Sequence, residues 1–118
     1  MKLNPRKELK LELLDTRRVK GKDGEIHACE GQAFTRHVCS GGLHMNEVFY
    51  TRGHVMKMPA KDKQYINHEI NCSILCGSFH TNWGHSRKFR EWYEYIQRGR
   101  YGNHAVDTYL AEFPTKLA

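Results

Sequence analysis

The chain lacks any apolar stretch approaching the roughly 18 residues needed to span a bilayer; its longest are only a few residues. It also lacks a visible signal peptide, because the start, Met1-Lys2-Leu3-Asn4-Pro5-Arg6-Lys7-Glu8, turns polar at once. Internal repeats and low-complexity segments are absent as well. These absences argue against membrane and secreted proteins, and the expectation is a soluble, cytoplasmic protein with no membrane partner. Hydrophobic residues make up 39% and charged residues 27%, which is globular rather than disordered. With 118 residues the chain is one domain, or one domain with arms. A domain this small buries about two-thirds of the surface its unfolded form exposes, so its margin of stability is thin.

The 19 Lys and Arg against 13 Asp and Glu leave a net charge of +6. Residues 1–24 hold 8 basic and 4 acidic residues, residues 25–80 hold 5 of each, and residues 81–118 hold 6 and 4. The positive charge therefore sits on the two flanks, around a neutral middle. With a pI near 9.3, such flanks suit a polyanion, nucleic acid first. A mildly basic surface without a partner is the other reading.

The neutral middle is where metal-ligand residue types gather. Seven of the 8 histidines lie between His27 and His85, and all 4 cysteines, Cys29, Cys39, Cys72 and Cys76, lie in that window. In an intracellular chain, clustered Cys and His read as a metal site before they read as a disulfide pair.

Local signals place these residues on elements. Asn4 can cap a helix that Pro5 opens, and Leu9, Leu13 and Leu14 give it an apolar stripe. It ends before the turn Gly21-Lys22-Asp23-Gly24. The stripe reads as a packing arm, although the basic face could track a phosphate backbone. Residues 25–40 look irregular. After Gly41-Gly42, residues 43–50 read as a strand. A polar loop from Thr51 to about Lys63 carries Arg52, Lys57, Lys61 and Lys63, and residues 65–75 read as a second extended segment. From Ser86 the pattern is helical: Phe89, Trp92, Tyr93 and Ile96 recur at i, i+3, i+4 and i+7 as a core stripe, with Gly99 as the stop. A last helix is expected over 104–113, capped by Asn103, with Val106, Leu110 and Phe113 on one face. His54, His68 and His104 read as surface or capping residues.

Strand, extended segment and helix each carry potential ligands. His44, Asn46 and Glu47 lie on the first strand, Asn71 follows about 25 residues later, and His80 and His85 come just before or at the start of the helix. A divalent ion needs ligands converging from separate elements, with positions left open for water or substrate. Phosphodiester hydrolysis then needs a general base for water and a cation for the phosphorane charge.

The phrases Leu43-His44-Met45-Asn46-Glu47-Val48-Phe49, His68-Glu69-Ile70-Asn71-Cys72-Ser73-Ile74-Leu75-Cys76-Gly77-Ser78-Phe79-His80 and Gly84-His85-Ser86-Arg87 together resemble the HNH endonucleases, the ββα-metal nucleases. The resemblance covers residues 29–98, a little over half the chain. Its most specific part is Asn-x-x-x-Leu-Cys-x-x-x-His, and the Glu-Val-Phe on the first strand looks like the phage and prophage branch. The small size and the start of the chain fit a phage-encoded stand-alone enzyme in the cytoplasm of a bacterial host.

The resemblance implies an α+β fold: a ββα-metal motif with flanking N-terminal and C-terminal helices. It implies a single nuclease domain over 1–118, with a basic N-terminal helix or arm (1–24), a metal and nuclease core (25–98) and a C-terminal helix (99–118). The implied activity is nicking or cleavage of double-stranded DNA with a divalent metal, Mg²⁺, Mn²⁺ or Zn²⁺. Asn71 becomes the middle Asn, which fixes the loop or orients the catalytic group, and His80 and His85 become helix-side metal ligands. On the first strand the family's adjacent pair falls on Asn46-Glu47, with Asn46 as a metal ligand. The nearest histidine is His44, two residues earlier and on the face of Asn46, so the general base is His44 or Glu47.

Many relatives also hold a structural zinc with two Cys-x-x-Cys pairs. Here Phe79 stands at the last of those cysteines, and the spacings within Cys29, Cys39, Cys72 and Cys76 are ten and four. A structural Zn²⁺ on these four is still feasible, with His27 or His37 able to replace Cys72. DNA contacts are expected from Arg52 and Lys57 in the loop. Arg87, Lys88 and Arg90 are expected to add theirs at a helix N-terminus, which favours anions. Phage terminase or packaging proteins are implied partners. A non-catalytic, zinc-stabilised nucleic-acid-binding module would use the same cysteines and basic flanks, and is the alternative.

Overall fold

The structure, a computed structural model, describes residues 4–59 and 63–117, with side chains as far as Glu112. Lys61 and the Phe113 side chain, both singled out from the sequence, lie outside the described residues. Helix α1 spans Pro5–Thr16 and begins as its sequence requires: the Asn4 side chain accepts from Lys7 N at 2.8 Å, and Pro5 fills the first position. A two-residue hairpin, β1 (Val19–Lys20) against β2 (Ile26–His27), turns at Gly24, whose φ of 85° favours glycine. A 3₁₀ turn over Glu30–Ala33 and an irregular loop lead to β3 (Leu43–Glu47).

Strand β4 (Cys72–Cys76) pairs antiparallel with β3, Leu43 opposite Cys76 and Glu47 opposite Cys72. Between them lie a short helix α2 (Arg52–Val55) and a 3₁₀ turn over Gln64–Ile66. Three helices follow: α3 (Gly77–Trp83), α4 (Arg87–Tyr101) and α5 (Asn103–Leu117). The chain is thus a mixed α+β fold, and among the described residues no helix is long and apolar enough to cross a membrane.

The β3–β4 hairpin is the middle layer. On one face Met45, Cys72 and Ile74 cover Leu13 of α1, flanked by Leu9, Leu14 and Leu43. The arm is therefore a packing arm. On the other face Leu75, Phe49 and Phe79 meet Phe89 and Tyr93 of α4 and Val106 and Tyr109 of α5. Every residue of β4 is buried. A lone two-stranded hairpin is marginal in water, and burying each Leu or Ile adds roughly 1.5–3 kcal/mol, so the helices on both faces are what hold it.

Several elements differ from their sequence expectation. The loop from Thr51 contains α2, because Thr51 and His54 cap each other: Thr51 N donates to His54 Nδ1 at 3.0 Å. The extended segment expected over 65–75 is a strand only from Cys72. Before it, Asn67 N bonds Gln64 O, Asn71 N bonds His68 O and Ile70 N bonds His68 Nδ1, all at 2.9–3.0 Å, so local turns win. Residues 77–83 form a separate helix, closed where Gly84 N bonds His80 O at 3.0 Å. Helix α4 is capped by Ser86 as expected, but it runs through Gly99 to Tyr101 and stops at Gly102, where φ is 89°.

One feature had no sequence signal. Glu30 is fully buried, and its carboxylate accepts from Tyr93 Oη at 2.9 Å, Arg100 Nη1 at 2.6 Å and Ile74 N at 2.5 Å. Arg17, 5% exposed, lies 3.6 Å from the same carboxylate and donates to Tyr93 Oη, Tyr101 Oη and the carbonyls of Cys72 and Glu69. Buried charge is tolerated only when paired and hydrogen-bonded this fully. The network joins the N-terminal third, β4 and α4.

Candidate metal centre and the adjacent histidine cavity

Cys29 precedes the 3₁₀ turn, His37 and Cys39 lie in the loop after it, and Cys76 ends β4. Their ligand atoms all fall within 4.8 Å of one another, the arrangement that could hold a metal ion. His37 Nε2 stands 3.6 Å from Cys29 Sγ, 3.5 Å from Cys39 Sγ and 3.5 Å from Cys76 Sγ. The other ring nitrogen, Nδ1, is 2.8 Å from Thr35 O. A carbonyl only accepts, so Nδ1 carries the proton and Nε2 presents its lone pair to the thiols. Gln32 Nε2 donates to Cys39 Sγ at 3.3 Å and to His37 O at 2.7 Å, and Cys76 N donates to Cys29 Sγ at 3.2 Å. Such outer contacts orient ligands before an ion arrives.

The donor set itself tests the fit. Three sulfurs and one imidazole suit a tetrahedral zinc-like ion and are unsuited to Mg²⁺ or Ca²⁺, which take oxygen. Burial works against ionising Cys76. Hydrogen bonds from Ser78, from the backbone of Phe79 and Ser40 and from Cys39 outweigh it, and its thiol is pulled down to about 6. Burial pushes the Cys29 thiol up to about 12 and the Cys39 thiol up as well. A bound cation would favour the thiolate at all three.

All four cysteines are free thiols. Cys72 is not in the group, and His37 stands in the place expected for it. Cys72 and Cys76 share a face of β4, yet four residues of strand separate them by about 13 Å. The Cys72 thiol, fully buried, donates instead to Ile66 O at 3.4 Å. His27 is also outside the group and pairs with Asp23 at 3.0 Å. The approach of the Cys39 loop to α3 depends on two glycines. Gly41 has φ 83°, and a Cβ on Gly77 would lie 2.7 Å from Gly41 O.

A second cluster lies between β3, α3 and the turn after it. His44 of β3 and His80 of α3 meet, Nδ1 to Nδ1, at 3.1 Å, and the His85 ring lies 5.5 Å from that of His80. A cavity of about 460 Å³ opens beside them, lined by His80, His85, Glu47, Arg6 and Arg52 among others. Burial, then the neighbouring His85 and His44, lowers the His80 pKa, which favours the neutral imidazole. Glu47 pairs with Arg6 at 3.0 Å, and Arg6 also donates to Asn67 Oδ1 at 2.9 Å and Met45 O at 3.3 Å. Arg6 was not singled out from the sequence. It is the second residue of α1, and only the docking of Leu13 brings it here.

Two expected site residues turn inward. Asn46 is fully buried; its Nδ2 donates to Gly84 O at 3.0 Å, and its Oδ1 has no partner among the described residues. It ties the strand to the turn that carries His85. Asn71, also fully buried, accepts from Phe49 N and Tyr50 N and donates to Tyr50 O and Ile66 O. All its hydrogen-bonding capacity is spent on the loop after β3.

Of the expected DNA contacts, Arg52 lines the cavity and Lys57 and Lys88 are exposed. Arg87 pairs with Glu91 at 2.8 Å, and the Arg90 guanidinium sits over the Phe49 ring at 5.9 Å.

No family model, no curated protein and no solved structure matches this chain.

Proposed function

We propose that this protein is a metal-dependent endonuclease of the ββα-metal kind, hydrolysing phosphodiester bonds in DNA, with a structural zinc on Cys29, His37, Cys39 and Cys76. The observation that carries the reading is the 3.1 Å contact of His44 Nδ1 with His80 Nδ1, made between a hairpin strand and the helix that follows, at the mouth of a cavity shared with His85 and Glu47. Two imidazole nitrogens come this close when they share one proton or one ion. Burial and the neighbouring His85 and His44 lower the His80 pKa, which is compatible with ligation, since only neutral imidazole ligates.

A divalent ion held there would supply Lewis-acid stabilisation of the phosphorane and the leaving oxygen. The protein's own groups do the rest. His44 and His80 hold their lone pairs together, and His85 stands beside them, carried by the turn that Asn46 fixes. This pairing favours His44 as a partner of His80 and leaves Glu47 as the base that takes the proton from water. Arg6 holds the Glu47 carboxylate in place, and Arg52 offers a cation to a phosphate entering the cavity. The basic flanks add long-range attraction for the polyanion.

The test is conversion of supercoiled plasmid to open-circle or linear form with Mg²⁺, Mn²⁺, Zn²⁺ or no added metal. Metal-dependent conversion is expected, lost in His80→Ala and lowered about 100-fold or more in Glu47→Gln, the usual range for removing a general base. Retained DNA binding with no cleavage under any metal would overturn the enzyme reading and leave a zinc-stabilised binding module.

A further inference from the structure

We propose that a second cavity, next to the histidine site, is a subsite for one unpaired nucleotide whose base rests on Val55, Met56 and Ile66. The proposal deepens the reading above and rests on nucleic acid being the ligand. The second cavity measures about 380 Å³ and shares Arg6 and Arg52 with the histidine cavity. The two cavities therefore adjoin at Arg6 and Arg52.

The floor of the second cavity is Val55 and Ile66, 2% and 4% exposed, which form a small core of their own edged by Met58 and Tyr65. Met56, in the wall, is 68% exposed, an apolar side chain presented to the cavity. The rim is Arg6, Arg52 and Lys63, and among the described residues no carboxylate lines the cavity. Arg6 is committed to Glu47, whereas Arg52 and Lys63 have no ion-pair partner among the described residues.

An apolar floor under a rim where Arg52 and Lys63 have no ion-pair partner among the described residues is complementary to a nucleotide, with a base below and phosphates above. Gln64 at the same cavity accepts from Asn67 through Oε1, and its Nε2 makes no hydrogen bond among the described residues. It can donate to an acceptor on a base edge. A base inside a duplex is stacked and paired and does not reach such a floor, whereas an extruded or single-stranded base does. The enzyme would then act next to an unpaired nucleotide in preference to perfect duplex.

The test is binding, at fixed salt and without added divalent ion, of two oligonucleotide duplexes that contain 2-aminopurine. In one the fluorescent base is paired; in the other it is unpaired. The unpaired duplex is expected to bind about tenfold tighter, the factor that burying one base on a protein surface supplies. Its fluorescence should change on binding. Met56→Ser, at an exposed position that does not threaten folding, should abolish both effects and leave the affinity for the paired duplex unchanged. Equal affinity of the native protein for both duplexes, or a preference that survives Met56→Ser, would overturn the subsite. Failure to bind either duplex would overturn the subsite together with the nucleic-acid reading. A Met56-dependent preference in a protein that leaves plasmid intact would uphold the subsite and remove the nuclease.

Discussion

The side-chain amide of Asn46 donates to the carbonyl of Gly84 at 3.0 Å, so the middle of β3 holds the turn from which His85 projects. Gly84 itself has no room for a side chain: a Cβ there would meet His80 O at 2.6 Å and His80 Cδ2 at 2.7 Å. Gly84→Ala is expected to cost ~1–3 kcal/mol, the usual range for overfilling a tight site, and to displace His80. Denaturant unfolding would read the first effect. Loss of plasmid conversion with undiminished zinc content would read the second; full activity in this variant would contradict the placement of His80.

The metal centre separates Cys72 from the other cysteines. The purified protein is expected to carry one zinc per chain, absent or loosely held in Cys29→Ser and His37→Ala. Cys72→Ser should keep it, because that thiol bonds Ile66 O rather than the cluster. Chelation should lower the melting temperature by roughly 10 °C or more, since structural zinc contributes directly to folding. Elemental analysis and thermal melts check these outcomes; zinc lost from Cys72→Ser would refute the assignment.

Asn71 should behave as a structural residue even if activity falls with it. Asn71→Ala leaves Phe49 N and Tyr50 N without an acceptor, and the carbonyls of Tyr50 and Ile66 without this donor. A loss of ~2–4 kcal/mol is expected from several buried groups left unpaired. Urea unfolding measures it. A stable but inactive Asn71→Ala protein would instead give the side chain a chemical role.

Acid should weaken the fold through two histidines. Burial lowers the pKa of His68, and burial with His85 and His44 lowers that of His80. Below an ordinary value of ~6.5 the unfolded chain therefore takes up protons before the folded one does. Stability falls as pH drops through that window and levels off once both folded histidines are protonated. Unfolding midpoints between about pH 7.5 and 5.5 for the native protein and a His68→Asn, His80→Asn double variant test this. The native protein should lose more on acidification; equal losses would contradict it.

What the sequence made legible was local. Asn4, Pro5 and Ser86 announce helix starts because their bonds are made within a turn, and the Phe89 and Tyr93 stripe shows its buried face by period alone. The convergence of His44, His80 and His85 was implied by the resemblance to the ββα-metal nucleases, although α3 was not visible as a helix of its own. Cys76 ends the strand and starts that helix, and a change of element so abrupt leaves no periodic signal. Choosing His37 over Cys72 needed the path of the loop, which only Thr35, Gln32 and the Gly41–Gly77 approach define. Arg6, Arg17 and Glu30 were illegible for another reason. A charged residue reads as surface until the partner that neutralises it is known: Glu47 lies 41 positions from Arg6, Glu30 lies 13 from Arg17, and Arg100 lies 70 from Glu30.

Those separations fix when the protein can fold. Leu13 rests on Cys72 and Ile74, Glu30 accepts from Ile74 N, and Cys29 accepts from Cys76 N. Beyond the local β1–β2 hairpin, these contacts of the first third are not made until β4 exists. A ribosome adding ~5–20 residues per second must therefore pass Cys76 and clear it from the exit tunnel first. Until then Cys29, His37 and Cys39 wait as an incomplete, solvent-reachable set of donors. The arm, the Cys29–Cys39 loop and the hairpin therefore complete their packing only after β4 is available.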